Sequence, residues 1–313
     1  MEANRAIDTV NMSREEWLEA RRKGIGGSDA AAIMGASPWA TKLTVYADKL
    51  GLLPEKEDTV ATRFGRDVEE IVAKWFSEDT GKKVRRVNAI LQHPNHPWML
   101  ANIDRKVQGE SAGLECKTTS AFNRTDFEGG SIPPYYYWQC VHYMAVTGFS
   151  RWYLAVIHGN NGFYHYEIPR NEEHIKLLIE RVEEFWNNHV LAEVPPPPDG
   201  KECDDNAIDA MSAGFEPTDE TLDLSAYSDI FDRLALAETA LKTSKENVDA
   251  LKQQIKMGMI DATRGACGKW KIYYMPQSRA TIDAKRLKAE LPQVYERYKK
   301  VSESRPLLIK KEA

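Results

Sequence analysis

The sequence predicts a mixed α/β fold, a small central sheet flanked by helices. Three observations carry it. Helical patterns come first and strand patterns follow from about residue 84. Gly113 to Thr119 is a β-rich run. A second pair of alternating runs, Arg151 to His158 and Phe163 to Ile168, surrounds His158-Gly159-Asn160-Asn161-Gly162, the composition of a hairpin turn.

In chain order, Trp17 to Gly35 joins a basic helix end, through Gly24-Ile25-Gly26-Gly27, to a new helix for which Ser28 is the expected cap. Such a turn suits a phosphate, met by backbone N–H groups, Ser28 and Arg21, or serves as a plain structural turn. It is not a Walker loop, because lysine and the second glycine are misplaced. From Phe64 to Phe76 the apolar Val68, Ile71, Val72, Trp75 and Phe76 mark a helix face. Glu69 shares the side of Val72 and Phe76, whereas Glu70 projects with Lys74 towards water. An acid on a buried face needs a partner or else sits at its border.

Strands are expected near Val84 to Leu91, Trp98 to Asp104 and Gly113 to Thr119, followed by a helix from about Pro134 to Thr147. That helix is rich in aromatic core residues, among which the amide of Gln139 requires hydrogen bonds. Asn171 caps a further helix running to about His189. Pro195 to Pro198 then marks a boundary. Residues 1–194 are expected to form the main domain, 195–228 a Pro-rich linker and acidic segment, and 229–313 a C-terminal extension. The extension opens on a helix, Asp229 to Met257, whose Leu234, Ala237, Leu241, Ser244, Val248, Leu251 and Ile255 have coiled-coil spacing. That stripe fits a helix hairpin, a partner or packing on the main domain. A strand at Lys269 to Met275 and short helices at Asp283 to Glu290 and Pro292 to Lys300 complete the plan.

With 313 residues, 42% of them apolar, the chain can bury a full core. No apolar run reaches membrane-span length and the first residues do not read as a signal peptide, so a cytoplasmic location without membrane contact is expected. Four scattered cysteines argue against a zinc ribbon or disulfide framework and read as buried thiols, and the seven histidines lack metal-ligand spacing. The net charge of −5 excludes a DNA-coating protein, so nucleic-acid contact has to come from patches. Residues 201–268 hold 14 acids against 7 bases, and 269–313 hold 12 bases against 5 acids.

The chemistry concentrates where strands meet. A strand's period of two puts Glu115 and Lys117 on one face and Leu114 and Cys116 on the other, and Asp104 ends the preceding strand pattern. Two arrangements fit. Paired carboxylates can share a cation, with oxygen ligands suited to Mg²⁺ or Mn²⁺ and Lys117 orienting water or offsetting developing charge. Alternatively Asp104 caps a turn and Glu115 pairs with Lys117 at the surface.

Four blocks together resemble the YqaJ-type viral recombinases, relatives of phage lambda exonuclease within the PD-(D/E)xK nuclease superfamily. They are Arg21 to Trp39 with Gly26-Gly27-Ser28-Asp29 and Ser37-Pro38-Trp39, Gly65 to Glu69, Asp104 with Glu115-Cys116-Lys117, and Gln139. Their order and spacing over residues 14 to 190 make the match specific, with Ile103 standing where the superfamily name has proline. The resemblance implies the restriction-endonuclease-like α/β fold and a 5′-to-3′ exonuclease on linear double-stranded DNA that leaves 3′ overhangs for a single-strand annealing protein. It implies Asp104, Glu115 and the Cys116 carbonyl as ligands of Mg²⁺, for which Mn²⁺ substitutes, with Glu69 joining directly or through water. Lys117 becomes the catalytic lysine, Gln139 borders the site, and Arg21 and Ser28 bind phosphate. Relatives form ring-shaped trimers, so a homo-oligomer on DNA ends is expected. Two other readings stay open: a DNA-end-binding recombination mediator and a structure-specific endonuclease.

Overall fold

A computed structural model describes residues 4–55, 58–120, 127, 130–216, 218–301, 305 and 307–309. It divides into two compact units, Met1–Pro217 and Thr218–Ala313.

The first unit runs β1 (Asn4–Asp8), α1 (Arg14–Arg22), α2 (Gly27–Ile33), α3 (Lys42–Lys49), α4 (Val60–Thr80), β2 (Val84–Arg86), β3 (Ala89–Gln92), β4 (Leu100–Ala101), β5 (Arg105–Val107), β6 (Ala112–Thr119), α5 (Pro134–Thr147), β7 (Arg151–His158), β8 (Gly162–Pro169), α6 (Glu172–Phe185) and α7 (Glu202–Met211). The main sheet has the order β2-β5-β6-β7-β8, and β1-β3-β4 form a second one. Only β6 and β7 pair in parallel in the main sheet, Glu115 opposite Leu154 and Lys117 opposite Val156. A parallel pair needs a crossover, and α5 supplies it.

Each face of the sheet carries helices, as the sequence predicts. On one, Leu114, Cys116, Tyr153 and Ala155 bury against Val72, Ala73 and Phe76 of α4. On the other, Trp152, Leu154 and Val156 join the larger core with α2, α3, α5 and α6. The odd-numbered face of β6 therefore looks towards α5. Hairpin β7–β8 turns between His158 and Gly162, and Asn171 caps α6 by accepting the His174 N–H at 3.0 Å. α6 continues through a π-helical turn, Trp186–Leu191.

Several expectations are corrected. The stretch Trp98 to Asp104 is a connector between sheets: Leu100 donates to the Ile25 carbonyl (2.9 Å) and the Trp98 carbonyl accepts from Ile25 (2.7 Å). Only Leu100–Ala101 pairs with β3, and Arg105 starts a new strand opposite Leu114. The run from Val84 likewise splits into β2 and β3, which belong to different sheets. Ser28 lies inside α2, whose N-cap is Gly26, and the Gly26 N–H is bound by Asp29 Oδ2 at 2.9 Å. On α4 the buried stripe is Val72, Ala73 and Phe76, while Ile71 and Trp75 stay exposed. Cys116 and Cys140 are buried thiols, but Cys203 is partly exposed and Cys267 exposed.

After the proline run the chain stays with the first unit. The Asp204 carboxylate of α7 accepts the Thr41 hydroxyl and the Asp199 N–H, Lys201 Nζ donates to the Ser37 carbonyl, and Ala207 enters the core. These anchors reach into the segment expected to be linker.

The second unit contains α8 (Ser228–Met257), the hairpin of β9 (Arg264–Cys267) and β10 (Trp270–Tyr273), α9 (Ala284–Glu290) and α10 (Pro292–Tyr298). The expected long helix is present, but no residue of α8 is buried.

Candidate active site

The site is built around the middle of β6, where the strand period directs Glu115 and Lys117 towards α5. Glu115 is buried. Its Oε1 accepts Lys117 Nζ at 2.5 Å and Gln139 Nε2 at 2.7 Å, and its Oε2 is buried with no hydrogen-bond partner among the described residues. Gln139 also donates to the Tyr143 hydroxyl at 2.8 Å, one turn along α5. The amide that the sequence marked as needing partners finds them here.

Asp104 stands just before β5, and the antiparallel pairing of Arg105 with Leu114 brings it level with Glu115. Its Oδ2 accepts the Cys116 N–H at 2.8 Å. Burial and then the neighbouring Glu115 charge push the Asp104 carboxyl well above the usual carboxylate range, against the pull of Lys117. Glu115 is raised too, again by burial first, although Lys117 and Gln139 oppose the shift. Burial works against the Lys117 ammonium, but the Glu115 and Asp104 charges outweigh it and hold its pKa above the ordinary lysine value. Ionising both carboxylates beside a single ammonium would leave excess negative charge in a confined space, and a further cation would relieve it.

Glu69 lies beside this group without lining the pocket. Its Oε1 accepts a hydrogen bond from Arg105, whose guanidinium also donates to the Asp104 carbonyl (2.7 Å) and to Glu70 (2.9 Å). Its charge still contributes to raising Asp104 and Glu115. Among the described residues no three His, Cys, Asp or Glu side chains stand ready-arranged around a metal position. The fit to a hard divalent cation therefore rests on Asp104 and Glu115, and the unpartnered Oε2 of Glu115 is the observation that favours it.

Across the pocket lies the loop from α1 to α2. An Arg21 Nη donates to Ser28 Oγ at 3.4 Å, and the guanidinium stands 4.7 Å over the Trp17 ring. Gly27 lets α2 approach α5, since a Cβ there would come within 2.8 Å of Tyr143 and 2.9 Å of Gln139 side-chain carbons. Behind the loop, buried Lys49 donates to Asp29 Oδ2 (2.6 Å) and to the Arg21 carbonyl (3.2 Å). A pocket of about 460 Å³ results, lined by Arg21, Ser28, Asp104, Glu115, Lys117 and Gln139 with Trp17, Trp39, Tyr135, Tyr136 and Tyr143 among the aromatic residues. Of the sequence candidates, all but Glu69 and Cys116 line it.

Arg105, Lys49 and Tyr143 were not singled out from sequence. Tyr143 was accessible, since it lies four residues after Gln139 on the same helix face. Arg105 and Lys49 carry no comparable local signal, because their partners on α4 and α2 are distant in sequence.

Residues 16–150 match the YqaJ-like viral recombinase domain. Over 303 residues the chain is 40% identical to the uncharacterized protein YqaJ of Bacillus subtilis (strain 168), covering 96% of this chain and 95% of that one. Among solved structures, the alkaline exonuclease LHK-Exo of Laribacter hongkongensis shares the fold. Its structure with dAMP gives a TM-score of 0.51 at 21% identity, over 57% of this chain and 94% of that one. Without dAMP the TM-score is 0.50 over the same shares.

Proposed function

The chain belongs to the YqaJ-like viral recombinase family, and from that premise we propose that it is a Mg²⁺-dependent exonuclease. It digests one strand of linear double-stranded DNA from 5′ to 3′ and leaves a 3′ overhang for a single-strand annealing protein. The observation that carries this reading is the juxtaposition of Asp104, Glu115 and Lys117 in one pocket with Arg21 and Ser28. An arginine and a hydroxyl suit a phosphate, and the acidic pair a few ångströms from a lysine suits phosphodiester hydrolysis. The complex of LHK-Exo with dAMP, a deoxynucleotide, supports the substrate class.

Asp104 and Glu115 would hold the ion, with the Cys116 carbonyl beside them and Glu69 acting through water if it remains with Arg105. When bound, Mg²⁺ supplies Lewis-acid polarisation of the scissile phosphate and acidifies an attacking water. Lys117, kept charged by its two carboxylate neighbours, orients that water and offsets charge building on the phosphate oxygens. Gln139 holds Glu115 from the α5 side, so the carboxylate cannot swing out of the pocket. Arg21 and Ser28 bind a phosphate of the strand being cut. By family resemblance the working form is a homo-oligomer, a ring-shaped trimer.

Incubation with Mg²⁺ of a linear duplex, labelled at its 5′ or its 3′ end, beside a closed circular duplex tests the reading. An exonuclease consumes the linear form alone, and a 5′-to-3′ polarity releases the 5′ label first. Nicking of the circle would point to an endonuclease, and two intact substrates to a binding protein.

A further inference from the structure

At the mouth of the pocket stands a side chain with no part in the chemistry above. Trp39 is 64% exposed, yet its position is fixed. The Trp39 N–H is bound by Ser37 Oγ at 3.2 Å, and its ring meets Tyr135 edge to face with centroids 4.8 Å apart. Tyr135 in turn packs on Tyr136 at 4.3 Å, and Lys117 Nζ lies 5.3 Å over the Tyr136 ring. An aromatic relay therefore runs from the surface to the catalytic lysine. Trp39 also borders a second cleft, of about 380 Å³, whose charged lining is Arg14, Arg21, Arg22, Asp29, Asp48 and Glu55. Arg21, Ser28, Ser37 and Trp39 line both spaces, so Trp39 stands on the ridge between this cleft and the acidic pocket.

We propose that Trp39, backed by Tyr135, is a stacking platform for the nucleobase at the end of the strand being digested. The inference rests on the nuclease reading. Arg21 and Ser28 engage a phosphate and Asp104 with Glu115 the bond to be cut, which leaves the base of that nucleotide to be held. Every base has a π face, so an aromatic platform accepts all four and suits an enzyme that consumes any sequence. Arg21, which lines both spaces with Trp39, supplies the cation for the phosphate attached to such a base.

Two measurements on the full chain test it. The first is fluorescence of a duplex carrying 2-aminopurine as its 5′-terminal base, titrated in EDTA so that no digestion occurs. The second is the Mg²⁺-driven rate on a normal 5′ end against an end whose terminal nucleotide lacks its base. Wild-type protein should quench the fluorophore and digest the normal end about tenfold faster. Trp39→Leu should lose both the quench and the preference, and Trp39→Phe should retain part of each. A quench or a tenfold preference that persists in Trp39→Leu overturns the platform. If the wild type digests neither end, the nuclease reading fails. The quench still decides the platform then, its loss in Trp39→Leu supporting stacking and its persistence refuting it.

Discussion

At the scale of single residues, Lys49 has more influence than its distance from the acidic cluster suggests. Its ammonium ties Asp29 to the Arg21 carbonyl, and Asp29 in turn holds the Gly26 N–H. One buried ion pair thereby fixes the loop that presents Arg21 and Ser28. Burial raises the Asp29 pKa, but the Lys49 and Arg21 charges outweigh it and hold the carboxyl below its usual 3.8. Because the folded value is depressed, the stabilisation is complete above the unfolded value and is lost as the pH falls from there through the folded one. Replacing Lys49 leaves a carboxylate that is largely buried without its cation. Lys49→Met should cost about 3 kcal/mol in chemical denaturation at pH 7 and flatten the acid limb of the stability curve, because Asp29 no longer titrates below its unfolded value. It should also raise KM for 5′-phosphorylated ends more than it lowers kcat, since the loop proposed to bind the phosphate, and not the proposed reacting centre, is loosened. An unchanged KM would separate the pair from the site.

At the scale of elements, the contact of α2 with α5 sets the width of the pocket. Gly27 faces Tyr143 and Gln139, the residues that brace Glu115. In Gly27→Ala the added methyl must displace one of them, which should cost about 1–3 kcal/mol. The same variant should slow digestion at saturating DNA, so a loss of stability without any loss of kcat would show that the brace is dispensable. This contact is hidden in the sequence, where glycine reads only as a turn. What was legible follows the strength of local patterns. The strict alternation of β6, the His158–Gly162 turn and the Asn171 cap each fix an element through neighbours in sequence. The stretch Trp98 to Asp104 misleads for the converse reason. Its apolar residues look like one strand, yet its backbone partners are Ile25 on one side and β3 on the other, and neither is marked locally. Asp104 still reaches Glu115, because the new pairing starts at the next residue.

At the scale of the whole molecule, the pocket-lining residues come from α1, α2 with the loops on either side of it, β3, the connector before β5, β6 and α5, all within the first unit. Three of the four family blocks, those with Arg21 and Ser28, with Asp104, Glu115 and Lys117, and with Gln139, thus supply one surface. For Glu69 the helix face was legible, but its partner Arg105, 36 positions away, was not. The seam spacing of α8 predicted a helix and not what, if anything, covers it, because periodicity describes a face and not its partner. The central claim is that Lys117, together with the Asp104–Glu115 pair, performs DNA strand hydrolysis. It is tested most directly by the digestion rate of end-labelled linear duplex in Mg²⁺ with Lys117→Ala beside the wild type, melting temperature and end binding being followed in parallel. The expected result is a loss of about a hundredfold or more in rate, with end binding and melting temperature near the wild-type values. Digestion by Lys117→Ala within a few-fold of the wild-type rate would contradict it.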